Sequence, residues 1–175
     1  MDIDHAITLR PPTEADQPFL LELYASTRGD LAQLDSETTR QLIVRMQFDA
    51  QQSWYRAQYP QADVNLILAD EVPVGRLYVA RGTEEIRLID ICLLPEYRRH
   101  GIGAALLREL QDEGAATALP VRLLVAMDNP AIRLYQRLGF MPVDLRGMHR
   151  AMEWQAAQNE AEASAAVQRA PTHTS

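Results

Sequence analysis

The sequence predicts an α/β protein in which helices cover a mixed β-sheet. Apolar residues recur at helical spacing in four segments, and six other segments show the alternating or continuous apolar pattern of strands. These segments follow one another in the order β-α-α-β-β-β-α-β-α-β, which is typical of a mixed sheet with helices packed on it. The chain has 175 residues, of which 47% are hydrophobic and 23% charged. This length and composition predict one globular domain with a buried core.

A strand and two helices are predicted first. Residues 6–10 alternate apolar and polar side chains and end at Pro11 and Pro12, which break a strand. Thr13 stands before acidic residues as an N-cap, and a first helix is expected over about residues 14–26. The second helix begins at the cap Asp35-Ser36-Glu37 and ends before Pro60. Its apolar stripe consists of Leu42, Ile43, Met46, Ala50 and Trp54.

Three strands are predicted next. Residues 64–69 and 73–79 form a hairpin around the turn Asp70-Glu71, and the mostly apolar residues 86–94 form a long strand that we expect to be central in the sheet. A helix then begins near Ile102, with Gly114 as its C-terminal cap.

The remaining segments complete the predicted domain. Residues 121–125 form a strand, Asn129-Pro130 begins a short helix that ends at Gly139, and residues 148–154 close the sheet. Residues 155–175 are rich in Ala, Gln, Glu and Ser, so they are predicted to be a flexible tail. The expected domain is therefore residues 1–154.

Charge and cysteine content exclude several classes of function. The 17 basic and 24 acidic residues give a formal charge of −7, which disfavours nucleic acids and anionic membranes as partners. No apolar run approaches the roughly 18 residues of a membrane span, and the N-terminus lacks the pattern of a signal peptide, so we expect a cytoplasmic protein. One cysteine, Cys92, and histidines without paired spacing predict no disulfide framework and no metal site.

One local basic turn stands out from this acidic background. After an apolar strand and Pro95, Arg98 and Arg99 precede Gly101 and Gly103 at the start of a helix. Free N–H groups at a helix N-terminus, glycines and guanidinium groups together suit a polyanion such as a pyrophosphate. The pattern is neither a P-loop nor a Rossmann fingerprint, because the Lys-Ser or Lys-Thr pair and the third glycine are missing. The alternative is a basic loop that caps a helix without a ligand.

The turn and a second segment carry a resemblance to a known family. Arg98-x-x-Gly101-x-Gly103 resembles the [QR]-x-x-G-x-[GA] acetyl-CoA motif of the GNAT superfamily of N-acetyltransferases, and residues 129–140 resemble its second signature. The resemblance covers about residues 6–154. It implies a mostly antiparallel central sheet that is splayed at the cofactor site and flanked by helices. It also implies acetyl-CoA as cosubstrate, no metal, and direct attack of a primary amine in a ternary complex.

The resemblance also assigns cofactor contacts by position. The backbone of the central strand would pair with the pantetheine arm, the basic turn would hold the pyrophosphate, and Asn129 would contact the pantetheine arm. The residues expected to bind the cofactor are Ile91, Cys92, Leu93, Arg98, Arg99, His100, Gly101, Ile102, Gly103, Ala104 and Asn129.

Two catalytic residues are expected. Tyr135 is the candidate that protonates the leaving thiolate, and its alternative is a core tyrosine with a locally satisfied hydroxyl. Asp90, an acid in an otherwise apolar strand, is the first choice as general base. Its alternatives are a structural pair with Arg87 or Arg76, or Glu84 or Glu85 acting through water. Residues 121–125 contain no acid, although some family members place a glutamate base there.

Other residues and functions complete the expectations. Cys92 is expected to be a buried small side chain rather than a nucleophile, and Trp54, Tyr55 and Tyr59 either border the acceptor cleft or pack in the core. The expected acceptor is a small-molecule or peptide amine, and we allow for a homodimer. The alternative functions are an acyltransferase that uses a longer acyl-CoA and a non-catalytic module that binds acetyl-CoA.

Overall fold

In a computed structural model, residues 6–156 are described. They contain a seven-stranded sheet in the order β1-β2-β3-β4-β5-β7-β6. The strands are β1 Ile7–Arg10, β2 Asp63–Ala69, β3 Val72–Arg81, β4 Ile86–Leu93, β5 Val121–Ala126, β6 Met141–Arg146 and β7 His149–Trp154. The helices are α1 Gln17–Ala25, α2 Glu37–Gln58, α3 Ile102–Thr117 and α4 Ile132–Arg137. The predicted α/β class and the central place of β4 are confirmed.

The described residues divide into two compact units, and the first combines residues 6–81 with Ile89–Gly103. It contains β1, β2, β3 and the second half of β4, together with α1 and α2. β2 pairs antiparallel with both β1 and β3. Its core includes Leu20 of α1, Phe48 of α2, and Leu66 and Leu68 of β2. Helices α1 and α2 therefore cover one face of this part of the sheet, because alternate side chains of a strand share a face.

The second unit combines Gly82–Leu88 with residues 104–156. Residues 86–88 of β4 pair parallel with residues 121–123 of β5, and β7 pairs antiparallel with both β5 and β6. The apolar face of α3 contributes Leu106, Leu107 and Leu110 to the buried core of this unit. The apolar residues whose spacing of four predicted α3 are thus the residues that this helix buries.

Three predicted details are wrong. Residues 141–146 form an additional strand, β6, which was not predicted although apolar Met141, Val143 and Leu145 alternate with the residues between them; all six of its residues are exposed. Gly114 lies inside α3 rather than at its cap, and the left-handed residue after the helix is Ala118, at φ 56°. The predicted stripe of α2 is largely exposed, since the buried residues of that helix are Val44 and Phe48.

Two further observations concern sequence-based expectations. No helix within residues 6–156 combines the length and the apolar character that crossing a membrane requires. Across the same residues, no group of three or more His, Cys, Asp or Glu side chains could hold a metal ion. The predicted flexible tail lies outside the described residues, except for Gln155 and Ala156.

Candidate functional site

The basic turn joins β4 to α3 and places two residues in the left-handed region of backbone conformation. Arg99 has φ 64° and Gly101 has φ 84°, so both depart from the conformation that side chains with a Cβ prefer. No atom lies within 4 Å of the position that a Cβ on Gly101 would occupy. The glycine is therefore required by its backbone angle and not by crowding. Helix α3 begins at the next residue, and the first N–H groups of a helix have no partner within it.

The two arginines of the turn have different surroundings. Arg98 Nε donates a hydrogen bond to the carbonyl oxygen of Leu93 at 2.8 Å, and Arg98 Nη2 lies 3.5 Å from Ser26 Oγ. Arg98 therefore ties the turn back to the end of β4. Arg99 is exposed and forms no hydrogen bond or ion pair with any residue in the described part of the chain. Its guanidinium is therefore available to an anionic ligand. The planar arrangement of guanidinium N–H groups matches the oxygens of a phosphate.

The end of β4 is bound on one side to β3. The N–H of Leu94 donates to the carbonyl oxygen of Val74 at 2.9 Å. A Cβ on Gly75 would lie 2.4 Å from the carbonyl oxygen of Cys92, so the two backbones approach closely only because residue 75 is glycine. The side chains of Ile91, Cys92 and Leu93 are all half-buried.

A polar cluster lies beneath α2 in the first unit, and we call it the Arg76 cluster. Arg76 is 4% exposed and donates from Nη2 and Nε to Asp90 Oδ2, at 2.5 Å and 3.1 Å. Burial opposes the charge of Arg76, but the Asp90 carboxylate outweighs that effect and holds the pKa of Arg76 above its usual value. The cluster consists of Gln51, Gln52, Tyr55, Arg76, Tyr78 and Asp90.

Asp90 is thus paired with Arg76, one of the two arginines that the sequence offered as a structural partner. Both bonds from Arg76 go to Oδ2, and Oδ1 forms no hydrogen bond with another described residue. The other named partner, Arg87, instead bonds Glu85 at 2.6 Å. Oδ1 of Asp90 is therefore available to accept a further hydrogen bond.

Two neighbours of Asp90 are held in their neutral forms. Burial, reinforced by the Asp90 charge, raises the pKa of Tyr55 far above its usual value. The same two effects raise the pKa of Cys92 to about 11. A thiol with this pKa is a poor nucleophile at neutral pH, because the thiolate is the reactive form. This agrees with the expectation that Cys92 is a small buried side chain.

Glu85, an alternative base, lies in the second unit and is fully engaged there. Its two carboxylate oxygens accept hydrogen bonds from Arg87 and Arg122. Burial raises its pKa, but these two hydrogen bonds outweigh burial and hold the pKa below the usual value. Glu85 therefore has little capacity to take up a proton at neutral pH.

The second unit also contains the two predicted residues of the short helix segment. Tyr135 in α4 is 6% exposed, and its ring packs edge-on against Phe140 with centroids 5.8 Å apart. Asn129 is exposed, and its Oδ1 accepts a hydrogen bond from the N–H of Ala131 at 2.9 Å. This bond fixes the turn before α4 and leaves the amide Nδ2 of Asn129 to donate elsewhere.

The polar residues of α2 that belong to the Arg76 cluster were not anticipated from the sequence. Gln51 Oε1 accepts from Arg76 Nη2 at 3.2 Å, and the Tyr78 hydroxyl lies 3.5 Å from Gln52 Oε1. The sequence contained one signal: Arg76 is a charged residue in the middle of an apolar strand, as Asp90 is in β4. Two opposite charges on buried strands predict a pair, but the glutamines of α2 could not be assigned to it. Tyr55 packs on Tyr78, whereas Trp54 is exposed.

Comparison with protein families gives one match. Residues 29–140, which are more than half of the chain, match the family model described as the acetyltransferase (GNAT) family. No curated protein matches the chain in sequence.

Solved structures share the fold at low sequence identity. A PaiA N-acetyltransferase from Thermoplasma acidophilum, in complex with coenzyme A, is 23% identical with a TM-score of 0.64, over 86% of this chain and 99% of that chain. An acetyltransferase from Thermus thermophilus gives the same four values. A chimera of the spermidine N-acetyltransferase SpeG from Vibrio cholerae and hSSAT is 18% identical with a TM-score of 0.59, over 87% and 96%. These likenesses extend the match of fold across most of the described chain.

Proposed function

The chain belongs to the GNAT acetyltransferase family, and we propose that it transfers an acetyl group from acetyl-CoA to a primary amine of a small molecule or peptide. The observation that carries this proposal is the basic turn. An exposed Arg99 with no partner among the described residues, a left-handed Gly101 and the N-terminus of a 16-residue helix follow one another within four residues. Two of the structures with this fold, the PaiA enzyme and the yncA protein of Salmonella typhimurium, contain coenzyme A or acetyl-CoA.

Each part of the cofactor has a proposed partner. Arg99, His100, Gly101, Ile102, Gly103 and Ala104 hold the pyrophosphate through the guanidinium and the N–H groups that begin α3, and Arg98 braces that turn. The backbone of Ile91, Cys92 and Leu93 pairs with the pantetheine arm in the manner of an added strand, and Asn129 donates to the arm from Nδ2. When bound, acetyl-CoA supplies a thioester that is already activated for attack by an amine.

The protein then has three tasks in the reaction. It must align the amine with the thioester carbonyl, take a proton from the amine, and deliver a proton to the leaving thiolate. We assign proton removal to Asp90 Oδ1, because Arg76 bonds the other oxygen, Oδ2, and no residue within 6–156 bonds Oδ1. Delivery of a proton to the leaving thiolate is assigned to Tyr135. No covalent enzyme intermediate is required, and Cys92 remains a thiol, in keeping with its raised pKa.

The acceptor is proposed by class. Aliphatic amines are the first class to screen as acceptors. One similar enzyme is named for spermidine, and the −7 formal charge of this chain favours a positively charged amine. The cytoplasmic location and the homodimer stay predictions.

Binding of acetyl-CoA to a turn variant tests the proposal. Arg99→Glu combined with Gly101→Glu removes a positive charge, adds two negative charges and strains the left-handed position, so the Kd measured by calorimetry should rise at least about tenfold. The matched control is Arg108→Glu, which makes the same change at one exposed arginine further along α3. An unchanged Kd in the turn variant would refute the assignment of acetyl-CoA to the basic turn.

Turnover separates the catalytic proposal from its alternatives. Thiol release from acetyl-CoA is measured with polyamines, amino acids, aminoglycosides and peptides as acceptors, and repeated with longer acyl-CoA donors. Turnover with an amine supports the proposal. Binding of acetyl-CoA without turnover on any acceptor would indicate the non-catalytic module, and a higher kcat/KM with a longer donor would indicate the broader acyltransferase.

A further inference from the structure

The outward side of α2 carries a row of uncharged residues. The buried residues of α2 are Val44 and Phe48, and the opposite side of the helix is exposed. Along that side lie Leu42, Met46, Ala50, Ser53 and Ala57, which we call the outer α2 face. Their spacing of three or four residues sets them in one row about 23 Å long. A surface helix normally has charged or polar side chains on this side, so the outer α2 face is suited to being covered by a partner.

The side chains of the outer α2 face fit a second helix. Leu42 and Met46 are 60% and 63% exposed, whereas Ala50, Ser53 and Ala57 are small. The axes of packed helices lie about 8 to 10 Å apart, and the side chains at the contact decide the distance. The three small residues therefore allow a neighbouring helix to approach closely, and a methionine of that helix can fill the space beside an alanine.

One flank of the outer α2 face carries an acid and a base. Asp49 and Arg56 are exposed and lie seven residues apart, which is about two turns, so both are on the same side of the helix. Asp49 forms an exposed ion pair with Arg45 at 3.5 Å. Arg56 Nε donates to the carbonyl oxygen of Gln52 at 3.2 Å, and Arg56 forms no ion pair within residues 6–156. The charge of Arg56 is therefore available to a carboxylate of another molecule.

Two copies of α2 related by a two-fold axis would pair these charges. When identical helices pack antiparallel about such an axis, each flank meets the same flank of the other helix in reverse order. Asp49 of each copy then lies opposite Arg56 of the other, which gives two ion pairs. The same register sets Met46 opposite Ala57, so a large side chain meets a small one. Charge and size thus agree on one register.

Other arrangements of the two helices lose the ion pairs. A shift of the antiparallel register by seven residues toward the start of the helix would bring Asp49 of one copy opposite Asp49 of the other. A parallel arrangement would set this flank against the opposite flank, where Trp54 and not a basic residue would face Asp49. The charges therefore favour one orientation and one register, as flanking charges do in coiled coils.

We propose that the outer α2 face is a dimer interface, which a second copy of this chain covers with its own α2 in this antiparallel register. The two helices overlap over about residues 45–58, a length of about 21 Å. So short a contact belongs to the small specific interfaces, below about 1,200 Å² in total, and the dimer should therefore dissociate on dilution. The proposal concerns a surface of the first unit and does not depend on acetyl-CoA.

Sedimentation velocity over two decades of protein concentration tests the interface in the full-length chain. Asp49→Arg or Arg56→Asp alone places like charges opposite each other twice in the dimer, so each should weaken association at least about tenfold. The double variant Asp49→Arg/Arg56→Asp exchanges the two charges and restores both pairs, so its Kd should return to within about threefold of the wild type. Both residues are exposed, and circular dichroism should show an unchanged fold in every variant.

Matched charge reversals on another helix serve as controls. Glu109→Arg and Arg108→Asp change exposed residues of α3 and should leave the Kd of the dimer unchanged. A monomer at every concentration, or a dimer that the single α2 variants do not weaken, would overturn the proposal. A double variant that stays as weak as the single variants would overturn it too. Loss of the dimer in Val143→Glu, on the exposed edge strand β6, with intact association in the α2 variants would place the interface at β6 instead.

Discussion

Gly75 of β3 offers a sharp test of how closely the strands of the first unit pack. An added Cβ would lie 2.4 Å from the Cys92 carbonyl oxygen, 2.7 Å from Leu93 Cδ2 and 3.2 Å from Ile67 Cδ1. The first distance is roughly 1 Å shorter than the optimum for non-bonded heavy atoms. Because the closest atom belongs to the backbone of β4, it cannot move away as a side chain could.

We therefore expect Gly75→Ala to cost about 3 kcal/mol, the upper end of the usual range for overpacking. In a chain of this size such a loss corresponds to a drop in the melting temperature of about 6 to 12 °C. If Cys92 and Leu93 contact the pantetheine arm as proposed, the displaced strand should also weaken acetyl-CoA binding.

Urea unfolding followed by far-UV circular dichroism measures the change in the free energy of unfolding. The control is Gly29→Ala, since no atom lies within 4 Å of a Cβ at residue 29 and its φ is not in the left-handed region. Its stability should remain within about 0.5 kcal/mol of the wild type. A Gly75→Ala protein that is equally close to the wild type would refute the close approach of β3 and β4.

Three further predictions concern a helix, an ion pair and a thiol. Gly114→Ala should destabilise the protein by about 1 to 3 kcal/mol despite the helix preference of alanine, because its Cβ would lie 2.8 Å from the Leu119 carbonyl oxygen. Ala118→Gly should stabilise the protein, because Ala118 has φ 56° and glycine adopts that angle without strain. The midpoints of urea unfolding measure both changes. The hydrogen bonds from Arg10 and Thr13 hold the pKa of Asp16 below its usual value. The stability advantage of the wild type over Asp16→Asn should therefore be complete above about pH 4, the unfolded pKa, and shrink below it; an equal gap at pH 7 and pH 3 would contradict this. Cys92, with its pKa of about 11, should react with iodoacetamide at pH 7.5 at least about a hundredfold more slowly than a free cysteine. Mass spectrometry measures the rate of labelling. Labelling as fast as in the urea-unfolded chain would contradict a buried thiol.

Local periodicity predicted most elements because it depends on neighbouring residues alone. Ser36 caps α2 through a bond from the N–H of Thr39 at 3.2 Å, as its position before Glu37 indicated. The choice of the buried face of α2 was wrong, since Leu42 and Met46 are 60% and 63% exposed and Val44 and Phe48 are buried. Both pairs are four residues apart, so spacing alone cannot select the face that packs.

β6 and the end of α3 depend on tertiary context. An edge strand tolerates Pro142 because a proline there loses no ladder bond on its open side, but a sequence cannot state which strand is at an edge. Gly114 resembled a cap, yet it is required inside α3 by the approach of Leu119 and Val121. The deciding contact comes from another strand, β7, in the case of β6, and from the residues that directly follow α3 in the case of Gly114.

The Arg76 cluster shows the same limit at the candidate site and also suggests why its charges are present. A buried ion pair contributes little net stability compared with apolar residues of similar volume, because desolvation offsets the attraction. Burial of Arg76 beside the half-buried Asp90 is therefore poorly explained by stability alone. One planar guanidinium here bonds both Asp90 and Gln51, so it links β3 to β4 and to α2. Because both bonds from this guanidinium go to Oδ2 of Asp90, the ion pair fixes the orientation of Oδ1, the oxygen to which proton removal is assigned.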